Sequence, residues 1–169
     1  MKILLTGATG GIGLAIKERL KQHKLTCLAH TNIVGIKQWE EFDWMITAHG
    51  IINEEDAKET FFVNTLANIK LTKNIKAKNV IFISSTAGIK GNDKYPVYSA
   101  SKAALNMYAK LKGYYVICPG ATDTPGWRKL GITDVEPQSP DEVAKAVERI
   151  MNGEFNSGDI ITVRNGIIS

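Results

Sequence analysis

Lys2-Ile3-Leu4-Leu5-Thr6-Gly7-Ala8-Thr9-Gly10-Gly11-Ile12-Gly13 opens the chain. Lys2 to Thr6 is a short apolar run of strand length, and four glycines follow within seven residues. A helix then runs to about Gln22 with Ile12, Ile16 and Leu20 on one face. This order is strand, tight turn, helix. Such a turn lets backbone come close to a phosphate, whose charge the free amides and positive end of the helix stabilise. Glycines placed for packing alone are the alternative.

The same alternation continues outward. Strand-like runs recur at Leu25-Thr26-Cys27-Leu28-Ala29, from Asp43 to Ala48, from Asn79 to Ile83, from Gly113 to Gly120 and from Ile160 to Val163. Between the second and third strands only residues 30–42 are available, enough for one crossover and for no further strand–helix unit. A helix is expected from about Glu54 to Asn74, carrying Phe61, Phe62, Leu66 and Ile69 inward with the polar Asn64 in its middle. Ser139-Pro140-Asp141-Glu142 reads as a capping box for a helix to about Asn152. Alternating strands and helices predict an α/β fold: one domain over residues 1–169, with about six parallel strands and helices on both faces. The segments Gly7, Ala48, Ser85 and Pro119 each follow a strand, and should share the rim where such sheets bind ligands.

On that rim stands Ser84-Ser85-Thr86-Ala87-Gly88, followed by Tyr95-Pro96-Val97-Tyr98-Ser99-Ala100-Ser101-Lys102. Tyr98 to Leu111 has helical periodicity, so Tyr98 and Lys102 are neighbours on one face near its start. A phenol titrates near 10, and a nearby ammonium favours its anion. Lys102 is placed to lower the Tyr98 pKa, and Ser85 to hydrogen-bond the oxygen that Tyr98 protonates. A first-turn aromatic packed on the sheet, with a solvated lysine, is the alternative. Trp127, in the loop Ala121 to Arg128, is either part of a substrate lid or a cover for the core edge.

The charge of +4 and pI of about 9.0 could suit nucleic acid, but the lysines form no single basic stripe. The densest group, Lys70, Lys73, Lys76 and Lys78, follows the expected helix and suits its negative end. No apolar run reaches membrane-spanning length and none resembles a leader, so a cytoplasmic protein is expected. Cys27 and Cys118 read as buried, reduced thiols, and no histidine cluster suggests a metal.

These residues together resemble the short-chain dehydrogenase/reductase family, NAD(P)-dependent enzymes on a Rossmann-type fold, over nearly the whole chain. Thr6 to Gly13 is similar to the family's TGxxxGxG turn. Ser85, Tyr98 and Lys102 fall at its catalytic spacing, and Asn64 in Val63-Asn64-Thr65-Leu66 matches the fourth member of its tetrad. Pro119-Gly120-Ala121-Thr122-Asp123-Thr124 resembles the stretch whose threonine holds the nicotinamide carboxamide.

The resemblance implies hydride transfer between a nicotinamide and a carbonyl or alcohol substrate. Tyr98 would be the acid/base, Ser85 the orienting hydroxyl, Lys102 a ribose ligand that lowers the Tyr98 pKa, and Asn64 the holder of a relay water. Cofactor contacts are expected from Gly7, Thr9, Gly11, Ile12 and Gly13, from Ala48, His49 and Gly50, from Tyr98 and Lys102, and from Pro119, Gly120, Thr122 and Thr124. Thr47-Ala48-His49-Gly50 departs from the family's Asn-Asn-Ala-Gly, so His49 either replaces a lost asparagine contact or leaves it unmade. After the second strand, Ala29-His30-Thr31-Asn32 has no acid to repel a 2′-phosphate. That leans toward NADP over NAD, with His30, Thr31 and Asn32 as candidate phosphate contacts. A homo-oligomer, dimer or tetramer, is expected. The competing reading is a catalytically silent NAD(P)-binding redox sensor.

Overall fold

A computed structural model describes residues 1–28 and 41–169. The strands are β1 (Lys2–Thr6), β2 (Lys24–Leu28), β3 (Glu41–Thr47), β4 (Lys76–Ile83), β5 (Tyr115–Pro119), β6 (Ile160–Arg164) and β7 (Ile167–Ile168). They form one sheet in the order β2-β1-β3-β4-β5-β6-β7. Every pairing is parallel except β6 with β7. Six of the strands match the expectation, and β7, a two-residue antiparallel return, adds the seventh. Among the described residues β2 is an edge; the crossover expected over residues 30–42 lies mostly outside the described residues. Order reverses at β1, between β2 and β3, so the carboxyl ends of β1 and β3 flank the crevice typical of such sheets.

Strand residues alternate between two apolar layers, because successive side chains point to opposite faces. Ile3, Leu5, Ile46, Ile81, Ile83 and Ile117 pack on one side with Ile16, Val143, Val147 and Ile150, from helices α1 (Gly11–Arg19) and α7 (Pro140–Met151). Leu4, Met45, Val80, Phe82 and Val116 point the other way. They meet Leu71, Leu105 and Ala109, from α3 (Ala67–Asn74) and α5 (Pro96–Lys112). Each fully buried aliphatic side chain contributes about 1.5–3 kcal/mol. The Arg19 guanidinium ties α1 to α7, donating to Asp141 at 2.7 Å and to Glu148 at 2.9 Å.

The expected long helix before β4 is three pieces. Helix α2 (Ala57–Phe61) starts at an Asp56 cap, a π-helical turn spans Phe62–Leu66, and α3 completes it. The wide turn shifts the angular phase, so Phe62 and Leu66, expected inward, are 46% and 53% exposed. Val63, Asn64, Thr65 and Asn68 are buried in their place. Three further expectations change. Cys27 is exposed, because β2 is an edge strand, while Cys118 is buried. Lys76 and Lys78 belong to β4 and do not follow the helix as terminal charges. Ser139 does not form a reciprocal box: its hydroxyl accepts from Asp141 N–H, and the Glu142 carboxylate accepts from Lys145 instead.

Candidate active site

The glycine turn leaves β1 with Gly7 at φ +69°, a left-handed conformation that disfavours side chains. A Cβ on Gly7 would lie 2.6 Å from the Ala48 carbonyl carbon, and one on Gly13 would lie 2.0 Å from Gly7 O. These two glycines are therefore explained by backbone packing, the alternative reading of the turn. Gly10 and Thr9 are exposed, and Gly10 caps α1 without a side-chain bond. The first intrahelical bond is Leu14 N–H to Gly10 O at 2.7 Å, so the amides of Gly11, Ile12 and Gly13 precede the helical ladder. A Cβ on Gly11 would meet Thr124 Cγ2 at 2.7 Å. The turn is an open-mouthed cradle of the kind that suits a pyrophosphate.

Across the crevice, the chain after β4 stays attached to β5: Ser84 N–H donates to Ile117 O at 2.7 Å and Thr86 N–H to Pro119 O at 2.9 Å. Ser85 is thereby held at the rim, and its Oγ accepts from Ala87 N–H at the start of α4 (Ala87–Lys90). Gly88 in α4 lies so close to α5 that a Cβ there would stand 2.7 Å from the Lys102 carbonyl carbon. This contact presses the serine turn onto the helix that bears Tyr98 and Lys102.

Lys102 is 3% exposed. Its Nζ donates to Ile83 O at 3.1 Å and lies 5.8 Å from the Tyr98 ring centroid. Burial of the ammonium pulls its pKa down to about 8. Tyr98 departs from the sequence expectation. Desolvation pushes its phenol up, the Ser85 hydroxyl opposes the rise, and Lys102 is not among the groups that shift it.

Asn64, in the π-helical turn, brackets Ile51: its Nδ2 donates to Ile51 O and its Oδ1 accepts from Ile51 N–H, both at 2.9 Å. Nδ2 also donates to Ser101 Oγ at 3.0 Å. The side chain thereby ties the segment after β3 to α5. Gly50 lies between the two polar groups, since a Cβ on it would stand 3.1 Å from Asn64 Oδ1 and 3.2 Å from Lys102 Nζ. His49 is buried, with Nδ1 2.7 Å from Thr6 Oγ1. It links the ends of β1 and β3.

In the loop after β5, Thr122 turns inward. Its hydroxyl donates to Gly120 O at 3.0 Å and accepts from Gln138 Nε2 at 3.3 Å. Thr124 instead faces the glycine turn and caps α6 (Pro125–Arg128), accepting from Trp127 N–H. Trp127 is partly buried in α6. The structure thus sets Gly7 against Ala48, Gly11 against Thr124 and Gly50 against Asn64 and Lys102, with Lys102 beside the Tyr98 ring and the Ser85 hydroxyl in reach of the Tyr98 phenol. His30, Thr31 and Asn32 lie outside the described residues. Sequence reasoning missed Glu54, Gly88 and Gln138. A glycine opposite a lysine carries no local signal, and the roles of Glu54 and Gln138 come from contacts distant in sequence.

The family model described as short chain dehydrogenase matches residues 31–135. The 3-ketodihydrosphingosine reductase of Dictyostelium discoideum is 28% identical, with 73% of this chain aligned. The chain spans about half, 48%, of that relative. The 3-oxoacyl-(acyl-carrier-protein) reductase FabG of Rickettsia bellii is also 28% identical, over 86% of this chain and 79% of that protein. The crystal structure of the 3-alpha-hydroxysteroid dehydrogenase from Pseudomonas sp. B-0831, complexed with NADH, superposes with a TM-score of 0.79. It covers 96% of this chain and 95% of that one at 16% identity, a likeness of fold.

Proposed function

The chain belongs to the short chain dehydrogenase family, and from that premise we propose that it reduces a carbonyl substrate with a nicotinamide dinucleotide, Tyr98 acting as proton donor. The observation that carries this reading is the convergence of Ser85, Tyr98 and Lys102 across the crevice from the glycine turn. The fit of a dinucleotide is supported by the first-turn amides of α1, which precede its intrahelical bonds, and by the close approach of backbone at Gly50, where a methyl group would crowd Asn64 and Lys102.

A reduced nicotinamide, when bound, supplies the hydride that the carbonyl carbon accepts. Tyr98 gives its phenolic proton to the carbonyl oxygen, so the product is an alcohol and the residue left behind is a phenolate. Ser85 donates a hydrogen bond to the same oxygen as its charge develops. Lys102 and Thr124 would hold the cofactor's ribose and amide ends, and Gly11, Ile12 and Gly13 would present amides to its phosphates. Because burial raises the Tyr98 pKa, the phenol is protonated throughout the neutral range. It therefore starts as an acid, the form that donates a proton to a carbonyl oxygen.

NADP is the proposed cofactor, with NAD as the alternative, because residues 29–32 carry no acid. The substrate carries a ketone or aldehyde carbonyl. We also propose that the single domain assembles as a homo-oligomer through Phe62, Leu66, Met107 and Leu111. All four are exposed large apolar residues, 46 to 79% accessible, on helical segments that pack against each other.

The test is oxidation of NADPH and of NADH against a panel of ketones, aldehydes and diketones. Turnover that depends on a carbonyl and is faster with NADPH is expected. Dinucleotide binding with no turnover on any member would favour the sensor reading.

A further inference from the structure

We propose that Glu54 positions Tyr98 for proton transfer, gripping its backbone from a loop on the opposite side of the crevice; this rests on the reading of Tyr98 as the proton donor. Glu54 lies between β3 and α2, 44 residues from Tyr98. Its Oε2 accepts from Val97 N–H and its Oε1 from Tyr98 N–H, both at 2.9 Å.

The accounting at the start of α5 shows why this carboxylate matters. A helix leaves its first-turn donors without intrahelical partners. Tyr95 caps α5 with no side-chain bond, and Pro96 has no N–H to satisfy. Ser99 N–H returns to Tyr95 O at 2.9 Å. Val97 and Tyr98 are the two donors left over, and one carboxylate takes both. Hydrogen bonds to a charged acceptor are about twice as strong as neutral ones, and the positive end of the helix adds to them.

The other side of the same residue is held from the same loop. Ser101 Oγ donates to Tyr98 O at 2.7 Å and accepts from Asn64 Nδ2, and Asn64 brackets Ile51, three positions before Glu54. Both the amide and the carbonyl of Tyr98 are therefore referenced to residues 51–54. The phenol is fixed relative to the end of β3, which forms the cofactor side of the crevice, and not only to its own helix. Misplacement of a reacting group by about 1 Å can cost about a hundredfold in rate.

The experiment compares the parent with Glu54→Ala, Glu54→Gln and Tyr98→Phe, measuring kcat, KM for NADPH and amide exchange by NMR. In Glu54→Ala, kcat should fall by about 10- to 100-fold with KM for NADPH within about twofold of the parent. Exchange at Val97 and Tyr98 should accelerate at least about tenfold as two protected donors are released. Glu54→Gln keeps one acceptor oxygen and should fall between, which also serves if the alanine variant does not fold. Parent-like kcat in both Glu54 variants alongside faster exchange overturns the proposal, as does unchanged exchange in Glu54→Ala. A Tyr98→Phe variant as active as the parent overturns the acid–base reading itself. The two failures are distinct, because in the first Tyr98→Phe is still inactive.

Discussion

Lys102 Nζ stands 5.8 Å from the centre of the Tyr98 ring, and no hydrogen bond joins the two side chains. The ammonium is anchored to Ile83 O, so it is fixed to the sheet and only adjacent to the phenol. The proton that Tyr98 carries is retained by desolvation.

Tyr98→Phe should lower kcat for carbonyl reduction by about 10²–10⁴ fold, the range for loss of a positioned acid. Dinucleotide affinity, followed by nicotinamide fluorescence, should change little. Parent-like turnover would remove Tyr98 from the mechanism.

Lys102→Met should stabilise the protein while abolishing turnover. Holding the ammonium at about 8 in place of 10.5 corresponds to about 3 kcal/mol of destabilisation at neutral pH. Losing the Ile83 bond offsets about 1 kcal/mol of the gain. The folded value lies below the unfolded one, so the penalty is fully present below pH 8 and is relieved as pH rises from about 8 to 10.5. Urea denaturation of the parent should show stability from this group rising across that window, and the Met variant should lack the rise.

Gly13→Ala should destabilise by at least about 3 kcal/mol, since its Cβ would stand 2.0 Å from Gly7 O and backbone cannot yield cheaply. Gly10→Ala, with 3.4 Å to the same atom, should fold like the parent. A thermal melt separates them. Similar midpoints would show that the turn relaxes more easily than its geometry implies.

Phe62→Lys combined with Leu111→Lys should reduce the mass seen by light scattering to that of one chain. Both positions are exposed, so fold stability should change by less than about 0.5 kcal/mol. An unchanged oligomer would place the interface elsewhere.

The strand–turn–helix opening and the sheet core were legible because both are local patterns: apolar runs of strand length and glycines at a strand end. Ser85, Tyr98 and Lys102 were legible for the same reason, since they lie within one strand–turn–helix unit. Their titration was not, because desolvation depends on what the whole fold places over a residue. Phe62 and Leu66 were assigned to the wrong face because a regular 3.6-residue period cannot anticipate a π-helical turn. Asn64, in that turn, carried a signal as a poor helix-interior residue, but its partner Ile51 did not. Glu54 looked like one more acid at a helix start, and only tertiary contact shows that it serves a different helix.

Gln138 has a consequence for the loop that bears Trp127. Its Nε2 donates to Val163 O and its Oε1 accepts from Asn165 N–H, both at 2.9 Å, while its main chain pairs with Ala121 and Asp123. Residues 121–123 are thereby riveted to the final strands, Thr124 packs against Gly11, and 129–137 span the distance between two moorings. Segments of different length and chemistry can be spliced into that span without disturbing the sheet beneath. If the proposed carbonyl reduction holds, exchanging it should alter which carbonyl compounds are turned over while the thermal melt stays close to the parent's.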